Sequence, residues 1–302
     1  MGFGIILPLF PFYAERMGAS PEIITLTMAA FSLGQFVAAP LWGRLSDSIG
    51  RKPVLILTLL GSSLSYVILA YAPNLTVVIL SRILSGLMAG NVSIAFAYVT
   101  DITDDNNRAA GLGKVSAALG LGFMTGPAIG GLLAGNTVEN ANYLLTAWAA
   151  ASINFLAMVA AIVFLKESLD AKKRKPFEGF SKIVELATFA PAKSILPLVS
   201  CGLIFYTAMS LMESIFPLWA NKIFSYGPSH IGGVFFMLGS LGVIIQGGLI
   251  GRLANLFGEK KLVQLAAISL MAGLILIGSA TFALSLWILM IPSDFLTKLA
   301  DL

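Results

Sequence analysis

Apolar runs of roughly twenty residues recur along the whole chain, and no other feature limits its fold so strongly. They cover residues 2–14, 22–42, 53–71, 75–100, 111–135, 143–165, 196–224, 231–253 and 262–283, with a short run at 284–291. A helix rises about 1.5 Å per residue, so a run of this length crosses a hydrocarbon core about 30 Å thick. No water at that depth satisfies a backbone amide or carbonyl, which leaves helix bundles or closed barrels. The runs are continuous rather than alternating in polarity, and this selects helices. Composition agrees: 57% of the 302 residues are hydrophobic and 11% charged, against about 25% charged in soluble domains, and mean hydropathy is +0.89. An all-α, polytopic membrane bundle is expected.

The few charges are sorted by side. In or beside the loops after the second, fourth, sixth and eighth runs lie Arg44, Arg51, Lys52, Arg108, Lys114, Lys166, Lys172, Lys173, Arg174, Lys175, Lys182, Lys193, Arg252, Lys260 and Lys261. The opposite loops hold Arg16 and Lys222. Cytoplasmic loops retain Lys and Arg, which predicts that the basic loops and the amino terminus are cytoplasmic. The formal charge of +4 and pI near 9.2 follow from this sorting and do not point to nucleic acid. KKRK at residues 172–175 fits two readings, a tether carrying topology charge or a contact with lipid headgroups. One cysteine, Cys201 in an apolar run, and one histidine, His230 in a connection, cannot build a disulfide framework or a metal cluster. No cofactor is expected.

An internal repeat organises the rest. Shifting the chain by 208 residues lays SLG at residues 32–34 on SLG at 240–242, the GRL at 43–45 on that at 251–253, Gly50 on Gly258 and Lys52 on Lys260. Both copies face the same way across the membrane. Parallel repeats about an axis along the membrane normal are one of two repeat architectures of secondary transporters. The expected organisation is an amino-terminal six-helix bundle over residues 1–165, a cytoplasmic linker over 166–194 and a partial carboxy-terminal bundle over 195–302. The same arithmetic expects the start of helix 1 and the helices after the tenth to fall outside the chain.

Charge in such a chain looks placed, above all in GRLSDSIGRKP at residues 43–53. Gly43 and Gly50 are expected to permit close approach or positive φ, and Pro53 to start the next helix. Asp47 among Arg44, Arg51 and Lys52 can form a charge-assisted network. An exposed ion pair contributes only about 0–1 kcal/mol, a scale suited to a latch made in one conformation and broken in another; the alternative is topology charge plus a turn. In GLGFMTGPAIGG at 120–131, Gly122, Gly126 and Gly130 recur every four residues and make a nearly straight stripe that lets helices meet closely. Pro127 removes a helical donor and favours a kink, with Gly131 beside it. Arg82 lies deep in the fourth run, where a cation costs about 2.5–3.5 kcal/mol by insertion scales. Glu213 is the acid well inside a run. Gln35, Asn91, Tyr98, Asn154, Tyr206 and Gln246 are candidates to line a central cavity or to bond neighbouring helices.

These stretches resemble the major facilitator superfamily. GRLSDSIGRKP looks like its loop signature between helices 2 and 3, SRILSGLMAG at 81–90 like its helix-4 motif with a buried arginine, GLGFMTGPAIGG like the helix-5 motif of its proton-driven exporters, and MGFGIILPLFP at 1–11 like their helix 1. The nearest likeness is to twelve-helix drug:proton antiporters, including the tetracycline-efflux branch. That resemblance implies a conformational latch at Gly43, Arg44, Asp47, Gly50, Arg51 and Lys52. It also implies proton coupling at Arg82, whose alternative role is a structural hydrogen-bond anchor, with Glu213 as titratable partner or interface residue. Acids that tetracycline exporters carry in helices 1, 3 and 9 have no counterpart here; the helix-3 position is Ser65 in SLSY.

The expected function is proton-coupled export of a small amphipathic compound by alternating access, by a monomer in the inner (plasma) membrane. A metabolite transporter of the same fold with different coupling and a non-transporting truncated fragment are the alternatives. No nucleophile, base and orienting group share a motif, so an enzyme is not expected. The repeat makes a direct prediction: in a Cys201→Ser background, Gly43→Cys and Gly251→Cys label with an impermeant thiol reagent from the same face of the membrane. Labelling from opposite faces would exclude the parallel duplication.

Overall fold

A computed structural model of the chain describes residues 1–105, 107–170 and 192–245, together with isolated positions elsewhere. Every regular element among them is an α-helix. In chain order these are α1 (Gly2–Ile6), α2 (Phe10–Arg16), α3 (Pro21–Ile49), α4 (Arg51–Ala70), α5 (Leu75–Leu87), α6 (Asn91–Ile102), α7 (Arg108–Ala134), α8 (Tyr143–Phe164), α9 (Ala192–Phe224) and α10 (Pro228–Ile244). Length and hydropathy suffice to cross a membrane for Pro21–Ile49, Arg51–Ala70, Leu75–Ile102, Ala110–Ala134 and Tyr143–Phe164.

Two expected runs are helices broken once. In the first, Pro8 and Pro11 each lack an amide hydrogen, so the ladder fails between α1 and α2, and the turn closes through Leu9 N donating to Ile6 O at 3.0 Å. In the fourth, Met88–Gly90 separate α5 from α6, and the Trp42 indole of α3 donates to the Leu87 carbonyl at 2.5 Å. A broken ladder in hydrocarbon is tolerated where a neighbouring helix supplies the missing partner.

Polarity is arranged for lipid. Leu26, Phe36, Leu132, Val163 and Phe164 are exposed, whereas Thr27, Thr58, Ser62, Ser63, Ser65, Ser81, Ser85 and Thr146 are buried. The hydroxyls bond backbone carbonyls: Ser65 donates to Ser62 O at 2.7 Å and Ser81 to Val78 O at 2.7 Å. Ser63 donates across to Ala151 O at 2.9 Å, joining α4 to α8. Small hydroxyl residues let helices approach while leaving no donor unpaired.

The loop signature differs locally from its expected tight turn. GRLSDSI is the last part of α3, and the reversal is made by Gly50 alone, at φ 113°. Arg51 opens α4, so Pro53 is its third residue rather than its first. Gly43 is helical, and a Cβ there would meet nothing among the described residues within 4 Å, so neither close approach nor positive φ requires it. Gly258, which the repeat superposes on Gly50, also has positive φ, 75°. The remainder of the second copy lies largely outside the described residues.

The glycines of α7 bring neighbouring backbones into close contact. A Cβ on Gly130 would overlap the Ile5 carbonyl of α1, and one on Gly126 would lie 3.0 Å from the Gly4 backbone. On the neighbouring face, a Cβ on Gly232 of α10 would reach 2.5 Å from the Pro127 carbonyl. Gly130→Val is therefore expected to lower stability by about 1–3 kcal/mol, as overpacking does, while Gly113→Ala, facing open space, is expected to hold it or raise it by up to about 1 kcal/mol, alanine being the better helix former. Thermal unfolding of the purified protein in detergent measures both.

Candidate functional site

At the end of the bundle where α3 meets α4, Arg51 gathers charges from several elements. Its Nη1 lies 2.6 Å from Asp47 Oδ1, four residues earlier on α3 across the Gly50 reversal, and its Nε lies 2.9 Å from Asp101 Oδ2 at the end of α6. Nη1 also donates to Ser46 Oγ at 2.7 Å. The Arg51 side chain is only 10% exposed, so these contacts are shielded from water and salt more than a surface pair would be. Asp47, at 41%, remains open to solvent.

Glu167, just beyond α8, completes the cluster by capping α4. Its Oε1 accepts from Arg51 N at 2.8 Å and its Oε2 from Lys52 N at 3.2 Å. A carboxylate at a helix start satisfies amides that have no intrahelical partner and lies at the positive end of the dipole. Gly50 makes room for it: a Cβ there would overlap Glu167 Oε2 and sit 2.7 Å from its carboxyl carbon. Lys52 Nζ donates to Ile162 O at 2.7 Å, Ser168 Oγ to Asp101 Oδ2 at 3.2 Å, and Tyr98 OH to Lys166 O at 2.9 Å. Thus α3, α4, α6 and α8 are tied at one end. Arg44 is half-buried on the same stretch of α3.

Asp101 and Glu167 were absent from the sequence reading. Counting loops by side would have found them, since both close or follow runs that end on the same side as Arg51. Only the assembled bundle shows that they reach it.

A second centre lies inside the bundle. Arg82 of α5 is 3% exposed, and its guanidinium carbon sits 5.2 Å from the Tyr66 ring centre on α4 and 5.7 Å from that of Phe10 on α2. Its Nε and Nη2 are buried without a hydrogen-bond partner, and it forms no ion pair with a described carboxylate, Glu213 included. Asn154 of α8 adjoins the site: a Cβ on Gly2 would overlap its Nδ2 and lie 3.2 Å from the Tyr66 ring, while that amide donates to Ala150 O at 2.8 Å. Arg82 and Asn154 thus meet around Tyr66, a residue the sequence did not single out.

The glycines of α7 divide between two partners. Gly122, Gly126 and Gly130 face α1, with Gly122 opposite Met1. The contact with α10 is made instead by Gly131, which faces Pro228 and Gly232, by the Pro127 carbonyl against Gly232, and by Met124 against Gly239. The stripe itself therefore packs within the amino-terminal part, and the surface against the second repeat lies on the adjoining face. At the end opposite the Arg51 cluster, Phe12 of α2 packs into Phe216 and Ala220 of α9 and Ile231, Val234 and Phe235 of α10. Glu213 is half-buried, one turn before Phe216.

Gln35 is half-buried on α3 and Asn91 at the start of α6. Gln246 lies outside the described residues, as does the side chain of Tyr206. An open cleft of about 650 Å³ lies at the Phe12 end, lined in part by Tyr13, Arg16, Glu139 and Tyr143; none of the cavity candidates borders it.

Residues 1–296 match the sequence profile of the Major Facilitator Superfamily. The chain belongs to that family. Among curated major facilitator relatives, multidrug resistance protein 2 of Bacillus subtilis (strain 168) is 32% identical over 274 residues, 89% of this chain and 67% of that protein. Tetracycline resistance protein, class C, of Escherichia coli is 29% identical over 285 residues, 93% of this chain and 71% of that protein. Among solved structures, the human organic anion transporter MFSD10 superposes with a TM-score of 0.70 at 24% identity, over 99% of this chain and 81% of that one. A bacterial homologue of the lysosomal transporter Spinster, inward-facing and unoccupied, gives 0.78 at 14% identity, over 99% and 70%. The major facilitator fold expected from the motifs is the fold of this chain, a multi-pass membrane transporter of small molecules.

Removing Arg51 takes the ion partner from Asp101, whose side chain is 22% exposed. Arg51→Met is expected to cost about 1–3 kcal/mol, below the range for a fully buried pair because Asp47 is open to solvent, and Glu167→Ala about 0.5–2 kcal/mol through loss of the cap. Thermal unfolding in lipid nanodiscs checks both; an unchanged midpoint for Arg51→Met would mean that the cluster adds nothing to stability.

Proposed function

We propose that this major facilitator is a proton-driven exporter of a small amphipathic compound, working as a monomer by alternating access across the plasma membrane, with its amino terminus in the cytoplasm. The observation that carries the reading is Arg82, a buried cation whose Nε and Nη2 have no acceptor. Such a group is costly in an apolar interior, and packing alone would be served by an apolar side chain. A cation of this kind sets the local potential against which a proton is bound or released. The names of the relatives support the export direction: one is a multidrug resistance protein and another a tetracycline resistance protein.

Two ends of the bundle supply the states that a carrier needs. At one, Arg51, Asp47, Asp101 and Glu167 lock α3, α4, α6 and α8. At the other, Phe12 closes against Phe216 and Phe235. Closure there with the loop cluster intact corresponds to a carrier opening toward the cluster. Binding a proton to an acid in or near the translocation path, Glu213 being the candidate, and releasing it on the other side biases the two states by the differential affinity of each. The glycine faces of α7 hold α1 on one side and α10 on the other, so α7 is the surface on which the two repeats tilt.

Transport by everted vesicles tests the reading. Accumulation of a cationic dye is expected to require an inside-acid pH gradient and to collapse with nigericin. Arg82→Ala is expected to reduce gradient-driven accumulation about tenfold or more, the effect of raising the rate-limiting barrier by roughly 1.4 kcal/mol. Uptake indifferent to the gradient would exclude proton antiport and leave the family's other coupling modes.

A further inference from the structure

The short helix α2 carries two aromatic side chains on opposite sides, and each ends in a different centre. Residues two apart on a helix are separated by about 200°, so Phe10 and Phe12 point away from each other. Phe10, 2% exposed, covers one face of the Arg82 guanidinium. Phe12, 0% exposed, is buried among Phe216, Ala220, Ile231, Val234 and Phe235 of α9 and α10. The burial of Phe12 therefore depends on helices of the second repeat, whereas Phe10 belongs to a cluster built mainly from the first, with Leu218 of α9 packed against it. Pro8 and Pro11 break the ladder between α1 and α2, while α1 is gripped by α7 through Gly4, Gly126 and Gly130. A helix cut loose at its start from a clamped neighbour can turn without dragging that neighbour along.

We propose that α2 is a lever linking closure of the Phe12 end to Arg82: Phe10 is a positioning residue that holds the guanidinium between its ring and Tyr66 only while Phe12 is sealed by α9 and α10. When those helices withdraw, Phe12 faces water. Turning α2 to bury it again takes Phe10 off the guanidinium and opens Nε and Nη2 to an acceptor. In the closed state the two ring faces stand in for the anion that Arg82 lacks, since a desolvated cation is attracted to the negative face of an aromatic ring. The inference rests on the alternating-access part of the proposed function and not on the identity of the substrate or of the coupling ion. It goes beyond that proposal by assigning the link between the two centres to one residue.

A labelling cycle tests it without transport. Ala220, 0% exposed within the Phe12 cluster, is replaced by cysteine in the Cys201→Ser protein, which is placed in lipid nanodiscs so that both faces meet a water-soluble maleimide. Phe10→Leu removes the ring and keeps an apolar side chain. It is expected to speed labelling of Ala220→Cys about threefold to tenfold, the population shift that follows loss of one desolvated cation–π contact. The same change in an Arg82→Met background is expected to have no further effect, because the ring then has no cation to hold. Phe10→Met gives the same comparison if the leucine variant does not accumulate. Equal acceleration with and without Arg82 would mean that Phe10 acts by packing alone, and no acceleration in either background would mean that α2 does not report closure; both overturn the lever. Vesicle transport in the same variants separates this result from the coupling question: gradient-independent uptake with a positive labelling cycle removes proton antiport and leaves the lever standing.

Discussion

Hydrocarbon offers no partner to a backbone amide or carbonyl, and the rest of this structure follows from that deprivation. It makes every described element a helix, leaves Leu26, Phe36 and Leu132 exposed toward lipid, and places Ser63, Ser65 and Thr146 among neighbouring helices. It also marks the places where the ladder fails. At Met88–Gly90 the indole of Trp42 takes the Leu87 carbonyl. Between α1 and α2 two prolines remove the donors outright, and the break frees a short helix that meets both the interior arginine and the second repeat.

The two centres solve the problem of charge in opposite ways. Arg51 sits at the bundle end and has Asp47, Asp101, Ser46 and a glutamate-capped helix start around it. Arg82 sits inside and has aromatic faces. A fully partnered cluster resists rearrangement, which suits a lock between helix ends. A cation with aromatic faces beside it and two nitrogens without an acceptor can exchange one environment for another.

Much of the first centre was legible in the sequence and little of the second. GRLSDSIGRKP carries its glycine and its charges at fixed spacing, and the reversal at Gly50 brings Asp47 of α3 against Arg51 of α4. Gly50 at positive φ, echoed at Gly258, agrees with the duplication read from the repeat. Asp101 and Glu167 escaped because each belongs to a different run, and their meeting depends on how α6 and α8 pack against α4. The role expected of Gly43 rested on analogy with Gly50, yet α3 continues through it as ordinary helix. The stripe at Gly122, Gly126 and Gly130 was visible as a periodicity, but periodicity gives a face without naming the partner on it. That partner is α1, and the adjoining face takes α10.

By itself the sequence determined that this chain lies in a membrane as helices, that its basic residues concentrate in alternate loops and that its halves carry a parallel repeat. Those properties depend on local quantities: the hydropathy of a window, the sign of a loop, the spacing of residues along one chain. Tertiary structure alone decided that Tyr66 and Phe10 face Arg82, that Glu167 caps α4 and that Phe12 seats between α9 and α10. Each of these is a contact across elements far apart in the chain, fixed by the rotation and depth at which helices dock. In lipid that docking is set by close steric fit, not by any hydrophobic preference a sequence could advertise.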